Sequence, residues 1–387
     1  MLTPNLKFNN FNKLEKKNLK KKLNFLKKQN WLKKYPLLIS LTTNYKYSYS
    51  KKNLQKIKKN FNFRLIGMGG SILGSEAIYN FLKHKVKKKF TFINNLNPKL
   101  VKKREKVKST NIIISKSGNT LETIINSNLL INNKNIFITE KKNNYLRKLA
   151  DNLKAEIFEH KNYIGGRYSV LSEVGMLPAE IMGLNEKKFK RFNYLIKNNN
   201  FLNQLIFNVE SILQFVKQKK YNSIILNYDQ SSEKLFKWYQ QLVAESLGKK
   251  SKGILPVVSN MPMDNHSMLQ LYLDGPKNNF FTFFFVKNNK SDKINSKWLD
   301  SSLNFIRDKS PSEVLYAQKI ATENVFYKKK LPFRSFEVVK KNEEALGELF
   351  CFFILETILL GRAMNVNPFD QPSVELIKKE TKKILSN

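Results

Sequence analysis

From residue 61 onward the chain alternates short apolar runs with longer amphipathic stretches. Phe61 to Ile66, Phe90 to Ile93, Asn111 to Ser115, Asn135 to Thr139 and Ala155 to Phe158 read as strands. The first is followed by the glycine turn Gly67-Met68-Gly69-Gly70 and a helix to about Lys83, the third by Lys116-Ser117-Gly118 and a helix from about Thr120. This alternation predicts parallel βαβ units. A helical zone runs from about Ser172 to Lys219, where Pro178 is expected to limit the positions at which helices begin. Strands then resume at Ser223 to Leu226, Gly253 to Val258, Phe280 to Val286 and Phe333 to Val338. Helices are expected over Ser231 to Leu247, His266 to Leu273, around Glu348 to Met364, and from about Ser373. Phe280 to Val286 is apolar without a break, so both of its faces must be covered.

The expectation is therefore an α/β protein of two halves, each a mainly parallel sheet flanked by helices. The boundaries are a helical N-terminal arm over 1–55, a first α/β domain over 56–200, and a second over 201–387 that carries the C-terminal helices. In such sheets ligands bind beyond the carboxyl ends of the strands. The polar turns after Ile66, Ser115, Leu226 and Val258 are the places to look.

Composition narrows the chemistry. The 387 residues are 41% hydrophobic and 12% aromatic, enough for real cores. The single cysteine, Cys351, excludes an intrachain disulfide framework, and with three histidines a Cys/His zinc site cannot be assembled. The formal charge of +40 comes from lysines spread through every segment, as in Lys20 to Lys22, Lys87 to Lys89 and Lys328 to Lys330. That spread reads as compositional drift toward Lys and Asn, so no specific nucleic-acid partner is expected, although the field attracts small anions. The apolar run Ala345 to Leu360 contains Glu348 and Glu356 and reads as a buried core helix rather than a membrane span. Without a secretory signal or a membrane segment, the expected location is cytoplasmic. His84 and His160 match no motif and are expected at the surface.

Two turns carry candidate chemistry. Ser115-Lys116-Ser117-Gly118-Asn119-Thr120 closes a strand and opens a helix, and its hydroxyls and free N–H groups suit a phosphate. Gly67-Met68-Gly69-Gly70-Ser71 repeats the arrangement one strand earlier, without the G-x-G-x-x-G spacing of a dinucleotide site. Helix capping explains any one such turn, but two in one βαβ unit favour a monophosphate.

These segments, in this order, resemble the phosphoglucose isomerase family. The resemblance rests on Gly67 to Gly74, Ser115 to Thr123 (S-K-S-G-N-T-L-E-T), Gly165-Gly166-Arg167-Tyr168-Ser169, Gln241 to Lys249 (Q-L-V-A-E-S-L-G-K), His266 to Gln270, and Asp370 to Lys378 (D-Q-P-S-V-E-L-I-K). Ser373 and the Ser117-Gly118-Asn119 triplet depart from the usual pattern, and the N-terminus is short. The resemblance implies two sugar-isomerase-type domains and an intramolecular oxidoreductase, an aldose–ketose isomerase of glycolysis and gluconeogenesis that needs no metal or organic cofactor. It implies Glu245 as the base that moves a proton between adjacent carbons of glucose 6-phosphate and fructose 6-phosphate through a cis-enediol. Arg167 would stabilise the enediolate, and His266 and Lys378 would open the sugar ring. Gly70, Ser71, Ser115, Lys116, Ser117, Thr120, Gln241 and Gln371 would hold the sugar phosphate. A homodimer is implied, with His266 reaching the partner's site. Two alternatives stay open: a dual phosphoglucose/phosphomannose isomerase, because of the loop variation, and a non-catalytic sugar-phosphate-binding regulator.

Overall fold

A computed structural model describes residues 1–11, 31–99, 109–287 and 291–386. Its strands are β1 (Leu6–Asn9), β2 (Asn62–Gly67), β3 (Lys89–Ile93), β4 (Thr110–Ile114), β5 (Asn135–Thr139), β6 (Glu156–Glu159), β7 (Asn222–Asn227), β8 (Leu255–Asn260), β9 (Asn279–Val286) and β10 (Phe333–Val338). Among the described residues, the helices of eight residues or more are α1 (Lys51–Lys58), α2 (Leu73–Phe81), α3 (Leu121–Leu130), α4 (Tyr145–Asn152), α5 (Glu173–Ile181), α6 (Asn199–Lys217), α7 (Glu233–Leu247), α8 (Pro311–Lys328), α9 (Glu343–Ala363) and α10 (Pro372–Ser386).

The strands form two five-stranded sheets, in the orders β3-β2-β4-β5-β6 and β1-β10-β9-β7-β8. Every pairing is parallel except β1 with β10. The expected α/β architecture of two mainly parallel sheets is what the chain adopts. In the first sheet the strand order reverses between β2 and β4, and in the second between β7 and β9. Such reversal points are where open α/β sheets bind ligands, because the crossovers diverge to opposite faces there.

β9 is buried along its whole length, as its unbroken apolar sequence requires. α9 is enclosed nearly all round, and both of its inner carboxylates are partnered. Glu356 takes hydrogen bonds from Arg334, Asn208 and Tyr239, and Glu348 from Thr3, Asn5 and Arg191. Buried charge survives in a core only with such partners. Among the described residues no helix is long and apolar enough to cross a membrane.

Four local expectations change. The N-terminal arm is not helical throughout: Leu6–Asn9 is a strand on the second sheet, with Leu6 and Phe8 buried and Lys7 and Asn9 exposed, the period of two that a half-covered edge strand needs. The part of that expectation on residues 12–30 lies outside the described residues. Pro178 does not mark a helix start but lies inside α5. Proline has no N–H to give the Val174 carbonyl, and the Ser75 hydroxyl supplies that bond instead at 2.9 Å. The helix expected over His266 to Leu273 begins only at Leu269. His160 is buried rather than at the surface, and burial pushes its imidazole pKa down to about 4.

Candidate active site

The centre of the candidate site is the side chain of Arg167, buried in the short helical turn Gly166–Leu171 that follows β6. All five of its N–H donors are used. Nε donates to Ser246 Oγ at 2.9 Å. Nη1 donates to Glu245 Oε2 at 3.0 Å and to Gln371 Oε1. Nη2 donates to the carbonyls of Pro368 at 2.7 Å and Asp370 at 2.9 Å. A guanidinium held this way cannot turn, so its charge is fixed in place.

Glu245 sits near the C-terminal end of α7, half-buried. Gln241, one turn earlier on the same face, donates to its other oxygen at 2.9 Å. The carboxylate is thus gripped from two sides while keeping about 29% of its surface open. α7 packs on α2 and α9, which places it between the two sheets.

The glycine turn after β2 also meets this assembly. A methyl group on Gly70 would lie 2.2 Å from the backbone of Gly166, so only glycine lets the two chains approach. Ser71 closes the same turn and is buried where α2 begins.

The turn after β4 is built differently. The hydroxyls of Ser115 and Thr120 are 2.9 Å apart, and Ser115 Oγ also accepts the Gly118 N–H at 3.2 Å. Gly118 has φ of +66°, and a side chain there would strike Asn144, which caps α4. Ser117 is exposed and accepts the Asn119 N–H at 3.3 Å. Thr120 heads α3 without capping it through its side chain, so the helix's first N–H groups face the turn. Lys116 folds back onto its own chain, donating to the Asn162 carbonyl at 2.8 Å and lying 3.5 Å from Glu140.

A cleft of about 340 Å³ lies beside Arg167, walled by Lys116, Gly166, Arg167, Phe369, Gln371 and Glu375. A neighbouring space of about 320 Å³ shares Lys116, Gly165 and Phe369 and extends to Tyr35 and Tyr168. A bigger cavity of about 850 Å³ lies elsewhere, between α8 and the β1–β10 side of the second sheet. Its walls are largely apolar, and it contains none of the convergent groups just described.

The expected site residues therefore divide. Arg167, Glu245, Gln241 and Gln371 converge through direct hydrogen bonds, with Gly70 pressed against the Arg167 turn. Ser115, Ser117 and Thr120 share one turn, from which Lys116 reaches the cleft. His266 does not join them: it follows the short turn Met263–Asn265, exposed, with its ring hydrogen-bonded to nothing among the described residues. Lys378 lies on α10, where no residue is buried, and pairs with Glu375 at 2.6 Å.

Three contributors were not singled out from the sequence. Ser246 joins Arg167 to the Tyr168 hydroxyl, 2.8 Å away. Tyr168 in turn donates to the Pro368 carbonyl at 3.0 Å. Lys249 donates to the carbonyls of Ser246 at 3.0 Å and Asn367 at 2.6 Å, tying α7 to the segment that feeds two carbonyls to Arg167. Burial lowers the pKa of Lys249. Ser246 and Lys249 stand inside the segment Q-L-V-A-E-S-L-G-K, so their proximity to Glu245 was a usable signal.

Comparison with known proteins fits this geometry. A sequence model of the phosphoglucose isomerase family matches residues 48–260. The chain is 32% identical over 355 residues to a glucose-6-phosphate isomerase of Methanocaldococcus jannaschii, covering 85% of this chain and 86% of that protein. It is 31% identical over 351 residues to a glucose-6-phosphate isomerase of Campylobacter jejuni, covering 84% and 86%. Among solved structures, a glucose-6-phosphate isomerase from Chlamydia trachomatis shares the fold with a TM-score of 0.70 at 18% identity, over 98% of this chain and 80% of that one. With the family's sequence pattern matched over more than half its length and relatives covering most of the remainder, the chain belongs to the phosphoglucose isomerase family.

Proposed function

We propose that the protein interconverts glucose 6-phosphate and fructose 6-phosphate as an aldose–ketose isomerase. The observation that carries this reading is the Glu245 carboxylate, held at 3.0 Å by a buried guanidinium and at 2.9 Å by Gln241. The isomerisation needs one group that removes a proton from a carbon and returns it to the adjacent one, and a partly open, firmly oriented carboxylate meets that need. Arg167 supplies the fixed positive charge for the enediolate that forms between the two transfers. Its bonds to Glu245 and Gln371 are the ones that substrate oxygens would take over, since the other three hold the turn in place.

The phosphate is held at the turn after β4, by Ser115, Ser117, Thr120 and the leading N–H groups of α3, with Lys116 nearby and the Gly70–Ser71 turn alongside. His266 and Lys378 act on the closed ring. The exposed position of His266, away from the other groups, fits its contribution to the site of a second copy, and the protein works as a homodimer in the cytoplasm, in glycolysis and gluconeogenesis.

The test is a coupled assay on glucose 6-phosphate, fructose 6-phosphate and mannose 6-phosphate. Glu245→Gln should lower kcat by about 10²–10⁴-fold while fructose 6-phosphate still binds. Near-normal turnover in that variant would reject Glu245 as the base, and equal turnover of mannose 6-phosphate by the wild type would broaden the substrate assignment.

A further inference from the structure

Lys190 lies between the short turn Glu186–Phe189 and the helix Phe192–Lys197, with its side chain enclosed. Its ammonium donates to two backbone carbonyls, Leu171 and Ser40. The rings of Tyr45 and Tyr47 face it at 5.1 and 4.9 Å. Leu171 is the last residue of the turn that carries Arg167. Ser40 belongs to the helical turn Pro36–Leu41, whose leading residues wall the space beside Tyr168 and Phe369. One cation therefore fastens two backbone segments that border the candidate site.

We propose that Lys190 is a positioning residue for the isomerisation: by gripping the Leu171 and Ser40 carbonyls it fixes the Arg167 turn against the Pro36–Leu41 wall. This rests on the isomerase reading and adds a remote residue to it. The grip depends on charge. Burial pushes Lys190 down to about 7, opposed by the nearby Glu173, Cys351 and Glu186. The other groups around it are Tyr45 and Tyr47, both raised by burial, and Cys351, raised to about 12, so none of the three titrates near neutrality. Glu173 is held by the Tyr45 hydroxyl at 2.7 Å and the Ser48 N–H at 2.9 Å. When Lys190 loses its proton, charge-assisted bonds become ordinary ones about half as strong, and the attraction to the two rings disappears.

The experiment measures kcat and KM of the full chain between about pH 5.5 and 9 for the wild type, Lys190→Met and Glu173→Gln. Circular dichroism and thermal melting establish that each variant is folded at the assay temperature. Lys190→Met should lower kcat about ten- to a hundredfold, with KM little changed, because small displacements at a reacting centre are costly. The wild type should lose activity as pH rises past about 7, and Lys190→Met should lack that decline. Glu173→Gln removes a charge that favours the ammonium, so that decline should move to lower pH. A folded Lys190→Met with wild-type kcat and pH profile overturns the proposal, as does a decline in Glu173→Gln that stays in place. Should Lys190→Met fail to fold, the Glu173→Gln profile decides alone. A wild type without turnover on any sugar phosphate overturns the isomerase reading itself, and this proposal with it.

Discussion

The two sheets present the same local architecture at their reversal points and use it in opposite ways. After β4 the chain turns through Ser115–Thr120 into α3, and after β7 it turns through Tyr228–Ser232 into α7. In the first turn the hydroxyls of Ser115 and Thr120 face each other, and the Glu140 carboxylate pairs with Lys116 rather than with them. In the second, Asp229 takes the hydroxyls of Ser231 at 2.7 Å and Ser232 at 2.5 Å, and Lys341 closes on the carboxylate at 3.2 Å. The second turn thus carries its own anion and has no room for another. In the proposed reaction its helix would act at the far end instead: α3 would offer its N-terminal N–H groups, whereas α7 would offer Gln241 and Glu245 near its C-terminus. The fold supplies two equivalent reversal points, and the residues in the turns set them apart.

The largest effect expected from breaking this division falls on the partner that joins the halves. Arg167→Lys keeps the charge but loses the planar fork that reaches Ser246, Glu245, Gln371 and two carbonyls at once. We expect kcat to drop about 10²–10³-fold, as for loss of a preorganised charge donor. Steady-state kinetics alongside a thermal melt checks this. Unchanged kcat would mean that the fixed geometry of the guanidinium is immaterial to the reaction.

A smaller effect separates the two turns directly. Ser115→Ala should raise KM for fructose 6-phosphate about tenfold and leave kcat almost intact, the size of one hydrogen bond to a charged group. Ser232→Ala, the counterpart after β7, should leave KM alone and cost about 1 kcal/mol of stability. If both substitutions raise KM alike, the second turn is in contact with substrate and the contrast drawn here fails.

Much of this was readable from the sequence, for identifiable reasons. Nine of the ten strands follow from short apolar runs, most plainly β9, which is buried on both faces and must be apolar throughout. β1 was not readable, since four residues within a Lys- and Asn-rich stretch carry too little pattern. α8 was missed although Ser310 and Glu313 form a capping box with proline at the first turn; its surface is mixed, and only Lys319, Thr322 and Phe326 are buried. The site was legible where motifs are contiguous, as in Gln241 to Lys249. The carbonyls of Pro368 and Asp370, the Lys190 clamp and the plug at Asp229 were not, because each depends on which distant backbone segments are brought together, and that is a property of the folded chain.

The smallest effect tests the plug itself. Asp229 and Lys341 are each about one fifth exposed, so the pair is partly screened by solvent. Asp229→Asn should therefore lower stability by less than about 1 kcal/mol in urea denaturation, with kinetics unchanged. The informative measurement is the response to an anion. Removing the charge leaves Lys341 and the hydroxyls of Ser231 and Ser232 without an anion among them, grouped at the start of a fifteen-residue helix. Inorganic phosphate should then raise the melting temperature of Asp229→Asn more than that of the wild type, since a ligand that binds only the folded state stabilises it. An equal response in the two proteins would show that the carboxylate is not what keeps this turn from binding anions, and the difference between the halves would have to lie in the backbone rather than in one side chain.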